Sequence, residues 1–258
     1  MARHIEVSMD GIPLSSVGAI LIQDVDESPA EMELTYGARL IRPGQDLTVN
    51  RRKSLRVTVI FVIRELRDLA KRNAILQAVN AWASGSILEL SNHPGQRLRV
   101  RCRSFAALGT VRNYATEIKL EFEADEVPYW EDLYPLTVEI PAAYGYTDIL
   151  VPGTAPTPVI VKYTPKSASL ASFTVTAVGG GVTKQIELTG MQVGKGSTVS
   201  LMVDEADRFG ISSGSYNLLQ YRSIASADDL TMPAGKVRVT WNASTSGNIV
   251  IMARGRWI

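Results

Sequence analysis

The sequence predicts a mostly β fold with one main α-helix, in two parts: a mixed N-terminal part and an all-β sandwich. Three observations carry this. One segment only, "RELRDLAKRNAILQAVNAWASGS", shows a sustained helical period. The second half is a series of short β-branched runs punctuated by glycine, serine, asparagine and proline. Charge density also drops midway: residues 1–141 hold 17 basic and 19 acidic residues, and the remainder 10 and 7.

In order along the chain, "RRKSLRVTVIFVIRE" reads as a strand. Leu55, Val57, Val59, Phe61 and Ile63 share one parity, and Arg56, Thr58, Ile60 and Val62 the other. The second parity is half apolar, which predicts a strand covered on both sides. The helix follows, with Leu66, Leu69, Leu76, Val79 and Ala83 spaced by about three or four and Gly85 as a stop signal.

"QRLRVRCRSF" then places Arg97, Arg99, Arg101 and Arg103 on one face, with Leu98, Val100 and Cys102 on the other. "TEIKLEFEAD" alternates likewise, Ile118, Leu120, Phe122 and Ala124 against Glu117, Lys119, Glu121 and Glu123. Two such strands pair antiparallel with opposite charges across the ladder, so the arginines find counter-charges within the chain. That reading outweighs a basic patch open to an external polyanion. Cys102, in phase with Leu98 and Val100, is expected to be a small buried apolar residue.

The tract "PAAYGYTDILVPGTAPTPV" is rich in proline and glycine and reads as a linker or crossover. The domains expected are therefore 1–141, a connection over 142–157, and 158–258. In the last of these, "PVIVKY", "SFTVTAV", "KQIELTG", "STVSLMV", "KVRVTW" and "NIVIMARGRW" supply the strands of a sandwich. "VGGGVTK" and "NASTSGN" are its clearest hairpin turns.

Composition narrows the function. The chain has 258 residues, 45% hydrophobic and 21% charged, which places it among folded globular proteins. Its 27 basic and 26 acidic residues give a net charge of +1, with no global pull towards nucleic acid or anionic membranes. A single cysteine excludes an intrachain disulfide and a cysteine-rich zinc site. No signal-peptide core is visible, and no apolar run reaches the roughly 18 residues of a membrane span. Folding in a reducing cytoplasm is expected.

Motifs of catalysis fail on inspection. "GISSG" (Gly210–Gly214) imitates a nucleophile elbow, but His4 and His93 both precede it and no helix follows Ser212. "GMQVGKGS" (Gly190–Ser197) imitates a phosphate-binding loop with one residue too few between its first two glycines, and with Gly196 where a hydroxyl is needed. The acidic pairs Asp24/Asp26, Asp204/Asp207 and Asp228/Asp229 lack the ligand spacing of a calcium loop and fit turns and strand ends. "NAS" at Asn242 matches a glycosylation acceptor, with no secretion signal to support it. No catalytic, cofactor-binding or metal-ligating residue is assigned.

Several stretches taken together resemble the distal tail protein (Dit) family of siphophages and prophages. These are "DGIPLSSVGAILIQDVDESP", "RRKSLRVTVIFVIRELRDLAKRNAILQAVNAWA", "LELSNHPGQRLRVRCRSF", "LEFEADEVPYWED" and the terminal "MPAGKVRVTWNASTSGNIVIMARGRWI". The resemblance implies an N-terminal belt domain that forms a hexameric ring around the channel DNA traverses. It also implies a C-terminal galectin-like or jelly-roll sandwich displayed outward. The partners implied are a tail tube protein on one side and tail tip or hub proteins on the other. The location implied is the distal end of a virion, after synthesis in the host's cytoplasm. Catalysis, cofactors and membranes have no place in this picture.

The alternative is a carbohydrate- or host-surface-binding module acting through the sandwich, with Tyr163, Tyr216, Tyr221, Trp241 and Trp257 as candidate stacking residues. Trp241 shares the parity of Val237 and Val239, which favours its burial.

Overall fold

The computed structural model describes residues 5–28, 32–38, 45–52, 54–64, 68–111, 115–125, 127–204 and 207–258. It is mostly β with a single α-helix among the described residues. The chain divides into two compact units, Met1–Trp130 with Ile258, and Glu131–Trp257.

The first unit contains β1 (Val7–Met9), β2 (Ile12–Pro13), β3 (Ile20–Ser28), β4 (Met32–Ala38), β5 (Gln45–Arg52), β6 (Arg56–Ile63), α1 (Leu69–Ala83), β7 (Ile87–Leu90), β8 (Gln96–Val111) and β9 (Ala115–Ala124). The sheet order is β2-β1-β7-β8-β9-β6-β3, with antiparallel pairing. Asp10 (φ 50) and Gly11 (φ 76) make the two-residue turn of the first hairpin, where both central positions need positive φ. Among the described strands, β4 and β5 pair with each other and with no other.

The strand at 56–63 is buried on both faces at its C-terminal end, where Phe61, Val62 and Ile63 are all buried. Helix α1 is capped by Asp68, whose carboxylate accepts hydrogen bonds from Ala70 N and Lys71 N. It packs through its last turn, where Val79, Trp82 and Ala83 are buried, and Trp82 meets Phe122 edge-on at 6.1 Å. Leu69, expected on the inner face, is 68% exposed, and Leu66 lies outside the described residues. Gly85 does follow the helix, but for close approach rather than a left-handed cap: a Cβ there would collide with Met9 and Asp10. The Asp10 carboxylate accepts from Ile87 N at 2.9 Å, fixing the exit from the helix.

The second unit begins with the last residues of β10 (Trp130–Asp132). It continues with β11 (Leu136–Ile140), β12 (Tyr144–Val151), β13 (Thr157–Pro165), β14 (Leu170–Gly179), β15 (Val182–Val193), β16 (Val199–Val203), β17 (Phe209–Ser213), β18 (Tyr216–Asn217), β19 (Thr231–Met232), β20 (Gly235–Ala243), β21 (Gly247–Ala253) and β22 (Arg256–Trp257). One sheet runs β11-β21-β13-β16-β17-β18 and the other β12-β20-β14-β15. Alternate residues of both fill one core that includes Val161, Tyr163, Phe173, Val175, Ile186, Val239, Trp241 and Ile251. The hairpin turn expected at "VGGGVTK" joins the paired strands β14 and β15, whereas "NASTSGN" is not a hairpin turn: it connects β20 to β21, which lie in different sheets.

The tract expected to link the domains is instead part of the sandwich. Residues 144–151 are β12, paired with β20 from Tyr144↔Asn242 to Val151↔Gly235, and β13 starts at Thr157. The division falls earlier, after Trp130. The physical reason is that "EDL" is clamped by the chain's end. Arg254 donates to Asp132 O and Leu133 O, Trp257 Nε1 to Asp132 Oδ1 at 2.7 Å, and Arg256 lies 3.5 Å from Glu131.

Candidate functional site

The arginine-bearing strand pairs antiparallel with the acidic one, Arg101 opposite Glu123 and Cys102 opposite Phe122. A bulge at Arg103 then shifts the register, so Ser104 faces Glu121. Arg103 reaches Glu123 at 2.7 Å, and Arg101 reaches Asp125 at 2.9 Å. Glu123 also lies 3.7 Å from Arg56 on the other neighbouring strand. Glu121 is taken by Lys119 of its own strand, whose hydrogen bond and charge hold its carboxyl below the ordinary range. The face thus neutralises itself, with Asp125 as a partner that strict alternation does not single out.

The expectation for Cys102 fails: beside the bulge, and still opposite Phe122, it is exposed rather than buried. Its Sγ donates to Ser104 O at 3.7 Å, and local desolvation raises the thiol above its ordinary value.

The motif imitations resolve as turns and strands. Ser212 lies within β17, opposite Ser200 and Asn217, not on a strand-to-helix turn. It borders a shallow groove of about 300 Å³ with Asp204, Arg208 and Tyr216. Gly194–Ser197 is a tight turn with Gly196 at φ 81, and a strand, not a helix, follows it. Of the acidic pairs, Asp204 binds Arg208, Asp207 binds Arg256, Asp228 lies 3.6 Å from Arg222 and Asp229 binds Lys184. Asp24 and Asp26 are exposed on β3. His93 stacks on Trp130 at 4.4 Å and meets Glu27 at 2.8 Å, while His4 lies outside the described residues. Among the described residues, no three of His, Cys, Asp and Glu are grouped as metal ligands, and no helix is long and apolar enough to cross a membrane.

Of the five candidate stacking residues only Tyr216 is exposed, at 75%. Tyr163 is fully buried, stacked on Phe173 with its hydroxyl donating to Thr245 O, and Trp241 is buried with its indole N–H on Ala142 O. Tyr221 and Trp257 are half-buried.

Two further exposed aromatics share one strand, on the outward face of the β12-β20-β14-β15 sheet. Tyr144 and Tyr146 are 74% and 65% exposed on its edge strand. Next to them, Asp148 accepts two hydrogen bonds from Arg238 at 2.8 and 3.1 Å and lies 3.0 Å from Lys236. These cations hold its carboxyl far below the ordinary carboxylate value. The Arg238 guanidinium sits 4.9 Å from the Tyr146 ring centroid. The signal for this face was present in "YGYTDILV", where Tyr144, Tyr146, Asp148 and Leu150 share a parity, but the surrounding prolines and glycines hid the strand.

No family model matches the sequence, and no curated protein does. Solved structures do. One is the crystal structure of the Dit (gp 19.1) protein of SPP1, described as a paradigm of the hub adsorption apparatus in phages that infect Gram-positive hosts. The match has a TM-score of 0.70 at 14% identity and covers 97% of this chain and 98% of that one. Another is a chain of the phage P2 baseplate in its activated conformation with calcium, with a TM-score of 0.50 at 8% identity, covering 98% of both chains. From end to end, this chain is similar in fold to the SPP1 Dit protein.

Proposed function

We propose that this chain is a structural protein of a phage tail, forming a ring that joins the tail tube to the tip or baseplate hub and lets DNA pass. The observation that carries the reading is the likeness to SPP1 Dit over 97% of the chain, which includes both units rather than one common domain. The ring is hexameric and built by the first unit. It is not an enzyme: Ser212 lies in a regular strand and Cys102 is not activated.

A feature of the first unit supports self-assembly. The β4–β5 hairpin pairs with no other described strand, and a two-stranded hairpin alone is marginally stable in water. A neighbouring subunit would supply the missing partner surface, in the head-to-tail contact that closes a ring.

Native mass spectrometry and negative-stain imaging across a concentration series test this. Closed sixfold rings are expected. Replacing residues 29–53 by a short Gly-Ser turn should leave a folded monomer. A full-length protein that stays monomeric at every concentration and fails to enter tails would overturn the assignment.

A further inference from the structure

We propose that the outward face of the β12-β20-β14-β15 sheet binds a neutral glycan chain, with Tyr144 and Tyr146 stacking on pyranose rings. This goes beyond the ring-forming role and does not depend on it.

The backbone register composes the face row by row. Across the strands run Tyr146, Thr240, Thr176 and Gln185 in one row, and Tyr144, Asn242, Thr174 and Glu187 in the next. Each row therefore starts with an exposed ring on the edge strand and continues as hydroxyls, amides and a carboxylate. Three inter-strand steps make the platform roughly 14 Å wide, and the two tyrosines are roughly 7 Å apart along their strand. Those dimensions suit a saccharide chain lying flat on the sheet.

Single exposed aromatics are ordinary on a protein surface. Two on one strand, with an arginine held against one of them, form a built feature. Arg238 is fixed twice, by its bidentate pair with Asp148 and by the Tyr146 ring. The tyrosine is thereby held upright at little further cost in side-chain entropy, which is the preorganisation a weak ligand requires.

Charge and polarity select the ligand class. Asp148 and Glu187 balance Lys236 and Arg238, so the face offers no net field to draw a polyanion. A protein partner would need an apolar centre, with polar groups at its rim. Over the two tyrosine rows the arrangement is reversed: exposed apolar side chains line the β12 edge, and Thr240, Thr176, Thr174 and Asn242 occupy the middle, while Val178 is exposed one row on, beside Arg238. Covering those groups with a protein would leave donors and acceptors unmet. A polyhydroxylated chain meets them one by one, and its C–H faces cover the tyrosines.

The test is saturation-transfer NMR and calorimetry on the full chain with cellohexaose, maltohexaose and tetra-N-acetylchitotetraose, and a heparin hexasaccharide as the anionic control. At least one neutral oligosaccharide should bind with a Kd of about 1 mM or tighter. Tyr144→Ala and Tyr146→Ala should each weaken it about tenfold, and Arg238→Gln should weaken it too. Tyr216→Ala, on the other sheet, should leave it unchanged. These exposed substitutions keep the fold, as circular dichroism will verify. Absence of any neutral binding at about 10 mM, or binding that survives the double tyrosine variant, overturns the proposal. So does a double variant that fails to enter tails while the parent binds no neutral oligosaccharide, because the face then docks a protein. Loss of binding with ring formation intact supports the glycan site by itself; rings that never form would count only against the tail reading.

Discussion

Arg103 and Glu123 show how much one inserted residue changes. Alternation in "QRLRVRCRSF" places four arginines on one face, yet the bulge at Arg103 shifts Ser104 to face Glu121, and just before it Cys102 is exposed and Arg101 pairs with Asp125. A bulge leaves no mark in a hydrophobic period, so this detail was not legible, although the strand pair and its self-neutralising charges were. Arg103 and Glu123 are half and about one-third exposed, so their pair is worth only about 0.2–1 kcal/mol. Arg103→Glu should lower stability by about that amount, and adding Glu123→Arg should recover only part of it, because Arg56 would then face a like charge. Urea denaturation of the four variants measures the cycle. With these arginines occupied internally, duplex DNA binding should show no component lost on Arg101→Ala. Asp148 offers a pH test. Its carboxyl is held below the ordinary value of 3.8 by Arg238 and Lys236, so its stabilising effect is complete above that pH and fades as pH falls further. Acid denaturation of Asp148→Asn should differ from the parent above pH 3.8 and converge with it in stronger acid. Direct carboxyl titration by NMR should place the Asp148 midpoint well below 3.8.

At the scale of elements, the helix was legible because its period is sustained and because Gly85 follows it as a stop signal. Its packing was less so: Leu69 is exposed, and the docking contact is Trp82, whose indole N–H donates to Ile12 O at 2.7 Å. Leucine spacing registers a helix but does not say which turn meets the sheet. Asp68 satisfies two otherwise unpaired N–H groups of the first turn, so Asp68→Ala should cost about 1 kcal/mol. Thermal melting checks this, and Asp68→Asn should retain most of the stability because its side-chain oxygen still accepts. The outward aromatic face was hidden for a different reason. Proline and glycine density made residues 142–157 look like a connection, whereas Tyr144 to Val151 form a sheet edge, where such neighbours are tolerated.

For the whole molecule, the decisive difference is where the second unit begins, and it can be tested by cutting the chain. The composition change near Pro141 marks a fall in charge, not a fold boundary. A fragment starting at residue 142 would lose β11, whose five residues pair with β21 from Leu136↔Ala253 to Ile140↔Ile249. It would also lose Glu131 and Asp132. Arg256 is only 5% exposed and is held between Glu131 and Asp207, so removing one carboxylate leaves a buried guanidinium short of its counter-charge. Breaking a buried pair costs about 3–5 kcal/mol, and the lower figure applies because Asp207 remains. Trp257 would lose its acceptor on Asp132, and Arg254 its two carbonyls. Those losses rival the whole stability of a domain of this size, which is about 5–15 kcal/mol. The fragment 131–258 should therefore unfold in one cooperative urea transition, while 142–258 should be largely unfolded or aggregated at the same temperature. If both fragments unfolded at the same midpoint, the clamp between the start and the end of the sandwich would have no energetic weight, and the division after Trp130 would lose its physical basis.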